Sequence, residues 1–322
     1  MNLMKPISAV FAMCALAAST AVAADFPDRP LRLVVPYPAG GTSDIIGRML
    51  QPPVAAGTGQ PVVVDNKPGG ASTIGTSQVA RAAPDGYTLL LADLALLVNP
   101  SLMKDIPYNT TKDFRAVSAL ARAPLVMLVN ATVPANTLQE LMALAKSKPG
   151  TLNFGSGGYA TSTHMAGEMF NRTTGLNITH VPYQGVAPVM NAILSGQVEI
   201  YFGGTTTGLQ HIATGKLKAV AITGDKRSPL LPNVPTFKEL GIEGMKADTY
   251  WGLYVPAGTD NERVNALNGY FRKALTDPAV VAQAGKLGLE LIGNSPEDQQ
   301  KEFAGMVEYW QDFVKKAGIK LD

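Results

Sequence analysis

The chain has 322 residues, of which 46% are hydrophobic and 16% are charged. This composition excludes an intrinsically disordered protein, which would combine low hydrophobicity with a high net charge. With 27 basic and 25 acidic residues, the net charge of +2 argues against a nucleic-acid-binding protein. The length, divided by a typical domain size of about 150 residues, predicts two domains.

The first 24 residues have the pattern of a secretory signal peptide. Lys5 gives a positive start, and Ile7 to Ala18 is an apolar stretch shorter than the about 20 residues that a membrane span needs. Small residues precede a cleavage point near Ala23 or Ala24. We therefore expect an exported protein in the periplasm. Because Cys14 is the single cysteine, the mature chain is expected to have no disulfide and no thiolate metal site.

Short apolar runs alternate with helix signals along the mature chain. Helical spacing at Val264, Leu267, Phe271 and Leu275, and a cap at Ser295, predict two of the helices. The alternation predicts α/β domains with mixed, largely parallel sheets flanked by helices. The predicted strands are Leu31–Val35, Val62–Val64, Thr88–Leu91, Val126–Val129, Leu152–Phe154, Ile178–Val181, Glu199–Phe202, Ala219–Ile222 and Gly252–Val255.

Three loops rich in glycine and small hydroxyl residues each follow a predicted strand and lead toward a predicted helix. We call them loop 1 (Pro38–Ser43), loop 2 (Gly155–Thr163) and loop 3 (Phe202–Thr207). Glycine lets the backbone approach a ligand, and helix N-termini present unpaired N–H groups with partial positive charge. This pattern indicates an anion site beyond the carboxyl ends of the strands. Ordinary turn chemistry is the alternative.

Catalytic signatures are scarce. The sequence contains no phosphate-binding loop, no zinc-protease motif and no nucleophile elbow. His164 and Glu168 are spaced to share a metal on one helix, but no further ligand lies at local spacing, so we expect neither a metal nor a cofactor. Ser156 or Ser162 beside His164 leaves an exported serine hydrolase as an alternative, although no third group is evident to orient the histidine.

Blocks of sequence spread over nearly the whole mature chain resemble the solute-binding receptors of the tripartite tricarboxylate transporter family, also called Bug-type receptors. Each block is weak by itself, and their number and order make the resemblance specific. The blocks are Pro36–Asp44, Asp65–Gly70, Ala82–Leu89, His164–Glu168, Val181–Gly185, Gly215–Ala219, Lys226–Pro229, Val234–Thr236 and Val255–Thr259.

The resemblance implies a two-domain periplasmic-binding-protein fold of type II, with a Venus-flytrap shape. Residues 25–124 and 249–322 would form the first domain, and residues 125–248 the second. Such a receptor is a monomer and not an enzyme. It captures a small organic carboxylate and passes it to membrane subunits driven by an ion gradient. A sensory binding protein that signals to a membrane kinase would have the same sequence features and remains an alternative.

In the family, backbone N–H groups, small hydroxyls and ordered waters from two facing loops grip the ligand carboxylate. Asp44 is expected to cap the first helix, because its charge would repel an anion. The ligand-binding residues that the resemblance implies here are Tyr37, Ala39, Gly40, Gly41, Thr42, Ala92, Asp93, Ser156, Gly157, Gly158, Ala160, Thr161, Ser162, His164, Gln184 and Gly203.

Three of these positions depart from the family pattern. Gly203 stands where family members often carry an aspartate, which disfavours an amino-acid ligand and leaves room for a bulkier, aromatic acid. Gln184 replaces a usual lysine, which disfavours a multiply charged ligand such as citrate. The segment after the third strand begins with Ala92 and Asp93, and Asp93 either meets a polar group of the ligand or caps a helix.

Overall fold

The computed structural model describes residues 26–319, so the predicted signal peptide lies outside the described residues. The strands are β1 (Leu31–Val35), β2 (Val62–Asn66), β3 (Thr88–Ala92), β4 (Phe114–Ala123), β5 (Leu125–Asn130), β6 (Asn153–Ser156), β7 (Thr179–Pro182), β8 (Ile200–Gly204), β9 (Leu217–Ile222), β10 (Thr249–Pro256) and β11 (Glu290–Leu291). The helices are α1 (Thr42–Thr58), α2 (Thr73–Ala80), α3 (Ala95–Leu102), α4 (Leu138–Ser147), α5 (Ser162–Thr174), α6 (Val186–Ser195), α7 (Thr205–Ala213), α8 (Asn261–Leu275), α9 (Pro278–Leu287) and α10 (Pro296–Ala317). Within residues 26–319, no helix combines the length and apolar character that crossing a membrane requires.

The strands form two mixed sheets. The first has six strands in the order β11-β4-β10-β3-β1-β2, and the second has five in the order β7-β6-β8-β5-β9. In the first sheet β1 pairs in parallel with β2 and β3, and in the second β6 pairs in parallel with β7 and β8. The candidate loops follow strands from these parallel groups, whose carboxyl ends lie along one edge of each sheet.

The chain changes sheets at two places. Pro124 separates β4 of the first sheet from β5 of the second, and residues 223–248 lead from β9 back to β10. At this second connection the Thr223 hydroxyl donates to Asp248 at 2.5 Å and accepts from the Leu125 N–H, so the two crossings touch each other. The domain boundaries at 124–125 and 248–249 stay a prediction.

The core has one layer on each side of each sheet. The outer layer of the first sheet packs α1 and α8 onto the strands, with Leu33, Leu50, Leu253 and Phe271 at most 1% exposed. The outer layer of the second sheet lies under α6 and includes Tyr201. A third cluster runs continuously from Leu90 of the first sheet to buried residues of the second, so the two halves share apolar packing.

The sequence predicted nine strands, all of which are present, and missed β4 and β11. The expectation of largely parallel sheets was too strong, because four of the nine pairs among the described strands are parallel and five are antiparallel. The antiparallel pairs arise where β4, β5, β9, β10 and β11 join the parallel groups.

Candidate functional site

Each candidate loop joins a strand to a helix, as the sequence predicted. Loop 1 follows β1 and enters α1, loop 2 follows β6 and enters α5, and loop 3 follows β8 and enters α7. The first-turn N–H groups of each helix have no acceptor within the helix, so they are the natural anion donors at these strand ends.

The first turn of α1 bonds back to loop 1. The Gly40 N–H donates to Asp44 Oδ2 at 2.8 Å, and Arg48 of the next turn donates to the same carboxylate. Burial alone would raise the pKa of Asp44, but the bonds from Arg48 and Gly40 outweigh it and lower the pKa. Asp44 lies in the first turn of α1 and bonds back to Gly40, which precedes the cap residue Gly41, so the expected side-chain cap of α1 is wrong. The Gly40 N–H is not free for a ligand. The N–H groups of Thr42 and Ser43 donate to no described residue.

Tyr37 and Asp93 form a partly buried pair beside loop 1. The Tyr37 hydroxyl donates to Asp93 Oδ1 at 2.5 Å, and the same oxygen accepts from the Ala95 N–H at the start of α3. Burial raises the pKa of both groups, and the Asp93 charge raises that of Tyr37 further. Of the two roles foreseen for Asp93, the structure contains the helix cap.

Loop 2 bonds mostly to itself. The N–H groups of Gly157, Gly158 and Ala160 donate to Thr163 Oγ1, Ser156 Oγ and His164 Nδ1 at 3.0, 3.2 and 3.3 Å. These backbone donors are thus engaged within the loop. The N–H groups of Ser162 and Thr163, in the first turn of α5, donate to no described residue.

Strand β10 brings the two helix starts together. Trp251 Nε1 donates to Ser43 Oγ of α1 at 3.0 Å, and the Thr249 and Ser162 hydroxyls of β10 and α5 are 2.8 Å apart. Residues 249 and 251 lie on the same face of a strand, about 6.6 Å apart. The N-termini of α1, which follows the first sheet's β1, and of α5, which follows the second sheet's β6, therefore both contact one short stretch of β10. No local pattern marks Thr249 in the sequence, because its partner is 87 positions away.

Behind loop 2 lies an aromatic stack. The His180 ring packs between Phe154 at 4.9 Å and His164 at 4.1 Å, and Tyr159 lies edge-on against both imidazoles. Burial lowers the pKa of His164 to about 4, and burial together with His164 lowers that of His180 to about 3. Both rings are therefore uncharged at neutral pH.

A family model described as the tripartite tricarboxylate transporter family receptor (TctC) matches residues 46–319. The chain belongs to this family. BugT of Bordetella pertussis (strain Tohama I) is 34% identical over 100% of both chains. The solved structure of the periplasmic binding protein BugD is 35% identical, with a TM-score of 0.82 over 92% of this chain and 100% of that one. An R. palustris protein solved with adipate is 30% identical, with a TM-score of 0.84 over the same shares.

These comparisons confirm two expectations from the sequence. The resemblance to Bug-type receptors is correct, and the fold is the two-domain periplasmic-binding-protein fold, with a sheet and flanking helices in each half. The relatives match along nearly their full lengths, so the shared fold extends through loops 1, 2 and 3.

The three positions that depart from the family pattern have different surroundings. Gln184 is exposed, and Ala92 is buried at the end of β3 beside Gly252 of β10. A Cβ atom at Gly203 would lie 2.5 Å from the buried ring of Tyr201. The expectation that Gly203 leaves room for a bulkier ligand was therefore wrong, because Tyr201 fills that space.

The structure also separates the residues of the hydrolase alternative. Ser156 Oγ lies 2.6 Å from His180 Nε2, whereas the sequence paired Ser156 or Ser162 with His164. Ser156 has an exposed fraction of 0%, so a substrate cannot reach its hydroxyl in this arrangement. An imidazole with a pKa of about 3 is also a weak general base at neutral pH.

Two surface pockets lie away from the candidate loops. One of about 490 Å³ is lined by residues between Pro100 and Thr111 and by Gln311, and the other of about 510 Å³ is lined by α8 and the β11 segment. Neither pocket includes a residue of loop 1, loop 2 or loop 3. The candidate site is the place where loops 1 and 2 contact β10.

Proposed function

We propose that this chain is a periplasmic receptor that captures a small organic carboxylate between its two domains and delivers it to a tripartite, ion-gradient-driven membrane transporter. Family membership supports the receptor role, and a structure with adipate in a 30% identical protein supports a carboxylate ligand. We assign residues 25–124 with 249–322 to one domain and residues 125–248 to the other.

The observation that carries the proposal is the meeting of α1 and α5 on β10. Ser43 of α1 and Ser162 of α5 bond to residues 251 and 249 of that strand. Each helix start offers unpaired N–H groups and about half a positive charge, which together suit one carboxylate. Because each helix follows a strand of a different sheet, a carboxylate bound by both would hold the two domains together.

Ligand capture then follows from domain closure. Either helix start alone binds an anion weakly, and the ligand shifts the open–closed equilibrium only by its preference for the closed form. The crossings at Pro124 and near residues 246–250 would act as the hinge, with closure on a microsecond-to-millisecond timescale.

The charge of the site limits the ligand. None of the sixteen residues that the family resemblance implies is a lysine or an arginine. Anion stabilisation would therefore come from helix termini and hydroxyls, which favours one carboxylate per binding position over a compact triply charged acid such as citrate.

A thermal-shift screen of the purified protein tests this function. The panel holds aliphatic dicarboxylates and tricarboxylates, aromatic acids, amino acids and the matched amides. A ligand at 100 times its Kd adds about 2.7 kcal/mol, enough to raise Tm by a few degrees. We expect one acid class to raise Tm and its amides to leave it unchanged.

Two controls make a negative result informative. Mass spectrometry of the unfolded protein detects an acid that co-purified, and an ester panel detects turnover. If no acid shifts Tm and none has co-purified, carboxylate capture is wrong. Hydrolysis of an ester would instead support the hydrolase alternative.

A further inference from the structure

Two stacked imidazoles lie behind loop 2 and bond to it at two points. The His164 and His180 rings are 4.1 Å apart and 24° from parallel. His164 Nδ1 accepts from the Ala160 N–H at 3.3 Å, and His180 Nε2 lies 2.6 Å from Ser156 Oγ. We propose that His164 and His180 are positioning residues, which fix the backbone of loop 2 so that the start of α5 faces the carboxylate. This inference rests on the proposed function of that loop.

The bond from His180 acts on the first half of loop 2. The Ser156 hydroxyl, at the end of β6, also donates to Gly158 O at 3.1 Å and accepts from the Gly158 N–H at 3.2 Å. Gly158 has a φ of 130°, a conformation that favours glycine. Because Ser156 is 0% exposed, water cannot take the place of the imidazole. His180 therefore holds the hydroxyl, and the hydroxyl holds both backbone groups of Gly158.

The bond to His164 acts on the second half of the loop. Ala160 has a φ of 61°, a left-handed conformation that residues with a Cβ atom rarely adopt and that persists only where the surroundings hold it. Burial lowers the pKa of His164 to about 4, so the uncharged ring can accept the Ala160 N–H at neutral pH. Ala160 precedes Thr161, the cap of α5, so its conformation sets the direction in which the chain enters the helix.

The surroundings of the two rings favour a role through the loop over direct contact with the ligand. His164 is 2% exposed, the Phe154 ring covers the other face of His180, and Tyr159 lies edge-on against both imidazoles. His164 Nε2 faces Glu168 of its own helix at 3.8 Å. The resemblance to the family implied that His164 binds the ligand, and we assign it to the support of Ala160 instead.

Two substitutions at position 180 separate hydrogen bonding from packing. His180→Gln keeps a polar atom near the Nε2 position and loses the ring stack, whereas His180→Phe keeps the stack and loses the bond to Ser156. Calorimetry with the acid found in the screen should give wild-type affinity for His180→Gln. It should give about fivefold weaker binding for His180→Phe, because the binding-competent form of loop 2 becomes less populated.

The control is His211→Phe, which changes the third histidine of the chain, on α7, and should bind as the wild type does. Weaker binding by His180→Gln than by His180→Phe would assign His180 to packing and overturn the proposal. Equal affinity in all the variants would also overturn it.

The same comparison applies at position 164. His164→Asn keeps an acceptor near the Nδ1 position, and His164→Leu removes it. We expect about fivefold weaker binding in His164→Leu and recovery of most of that loss in His164→Asn. An equal loss in the two variants would contradict the role assigned to the bond from Ala160.

Amide hydrogen exchange of the ligand-free protein tests the positioning without any acid. The Gly158 N–H should exchange at least tenfold faster in His180→Phe, and the Ala160 N–H in His164→Leu, while amides of β1 exchange as in the wild type and show that the variants fold. Unchanged exchange in loop 2 would overturn the inference. Because this measurement needs no ligand, it separates failure of the positioning from failure of carboxylate capture, which only the screen detects.

Discussion

At the scale of single residues, Gly203 and Tyr201 determine how much space lies beside β8. Positions 201 and 203 face the same side of the strand, and Tyr201 is 1% exposed. Since a Cβ atom at position 203 would be 2.5 Å from that ring, an aspartate cannot occupy the position without moving Tyr201. The glycine at this position is therefore coupled to core packing.

The substitution Gly203→Ala measures this coupling. The added methyl group overpacks a buried ring, so we expect the free energy of unfolding to fall by about 1–3 kcal/mol in denaturant titrations. Gly305→Ala is the control, because position 305 is exposed on α10 and a Cβ atom there meets nothing within 4 Å. The control should raise stability by up to about 1 kcal/mol. Equal stability of both variants would show that Tyr201 moves freely.

Asp44 gives a pH-dependent prediction. Its pKa is lower in the folded protein, so its contribution to stability is present above the ordinary value of about 4 and is lost as the pH falls through the folded value. Asp44→Asn should therefore be less stable than the wild type at pH 7, and the difference should shrink below pH about 4. Denaturant unfolding at several pH values measures it.

The control for Asp44 is Asp312→Asn, which removes a carboxylate that is 58% exposed in a surface pair with Lys316. Exposed pairs contribute little, so this variant should match the wild type. A stability difference for Asp44→Asn that stays constant from pH 7 to pH 3 would contradict the bonds that Asp44 accepts from Gly40 and Arg48.

The residues that the sequence could not assign share one property. His180 and Thr249 contact Ser156 and Ser162 across 24 and 87 positions, and no local pattern marks such pairs. The glycine-rich loops were recognisable because strand, turn and helix start are adjacent in the chain. The Thr163 side chain accepts the Gly157 N–H, and its orientation is determined by the fold. The sequence alone therefore could not show which loop N–H groups are already bonded.

At the scale of elements, strand prediction succeeded where apolar runs are bounded by turn residues, as at β1, β3 and β8. It failed at β4, whose sequence FRAVSALARA is rich in alanine, leucine and arginine, which are strong helix formers. Six consecutive residues of β4, 116–121, are buried because the strand lies between β10 and β11, so no alternation of buried and exposed residues marks it. Tertiary packing overrides the local preference here.

The cap of α5 connects this scale to binding. Thr161 Oγ1 accepts from the His164 N–H and donates to Gly158 O at 2.7 Å, so it fixes loop 2 to the helix start. Thr161→Ala should lower stability by about 1 kcal/mol and also weaken carboxylate binding. Thr137→Ala removes a similar cap from α4, away from the loops, and should lower stability alone.

Calorimetric titration with the acid found in the screen, combined with thermal unfolding, distinguishes the two cap variants. If both lose the same stability and both keep wild-type affinity, loop 2 does not contribute to the ligand site.

At the scale of the whole molecule, polar contacts join the two halves near the loops. The bond between the Ser162 and Thr249 hydroxyls is one of them. Thr249→Val removes it with little change in shape, which should destabilise the closed form relative to the open one. One hydrogen bond is worth about 1 kcal/mol, so carboxylate affinity should fall about fivefold in calorimetry.

Thr214→Val provides the comparison, because Thr214 follows the end of α7 and its hydroxyl donates to carbonyl groups of that helix, at Gln210 and His211. This variant should bind with wild-type affinity. An unchanged affinity in Thr249→Val would mean that the contact on β10 plays no part in closure.

The most direct test of the central claim is a crystal structure of the protein with the acid that raises Tm most. The ligand carboxylate should accept hydrogen bonds of about 2.7–3.2 Å from N–H groups in the first turns of both α1 and α5. A carboxylate bound by only one of the two helices, or an acid bound in the pocket lined by Met103 to Thr111, would contradict it.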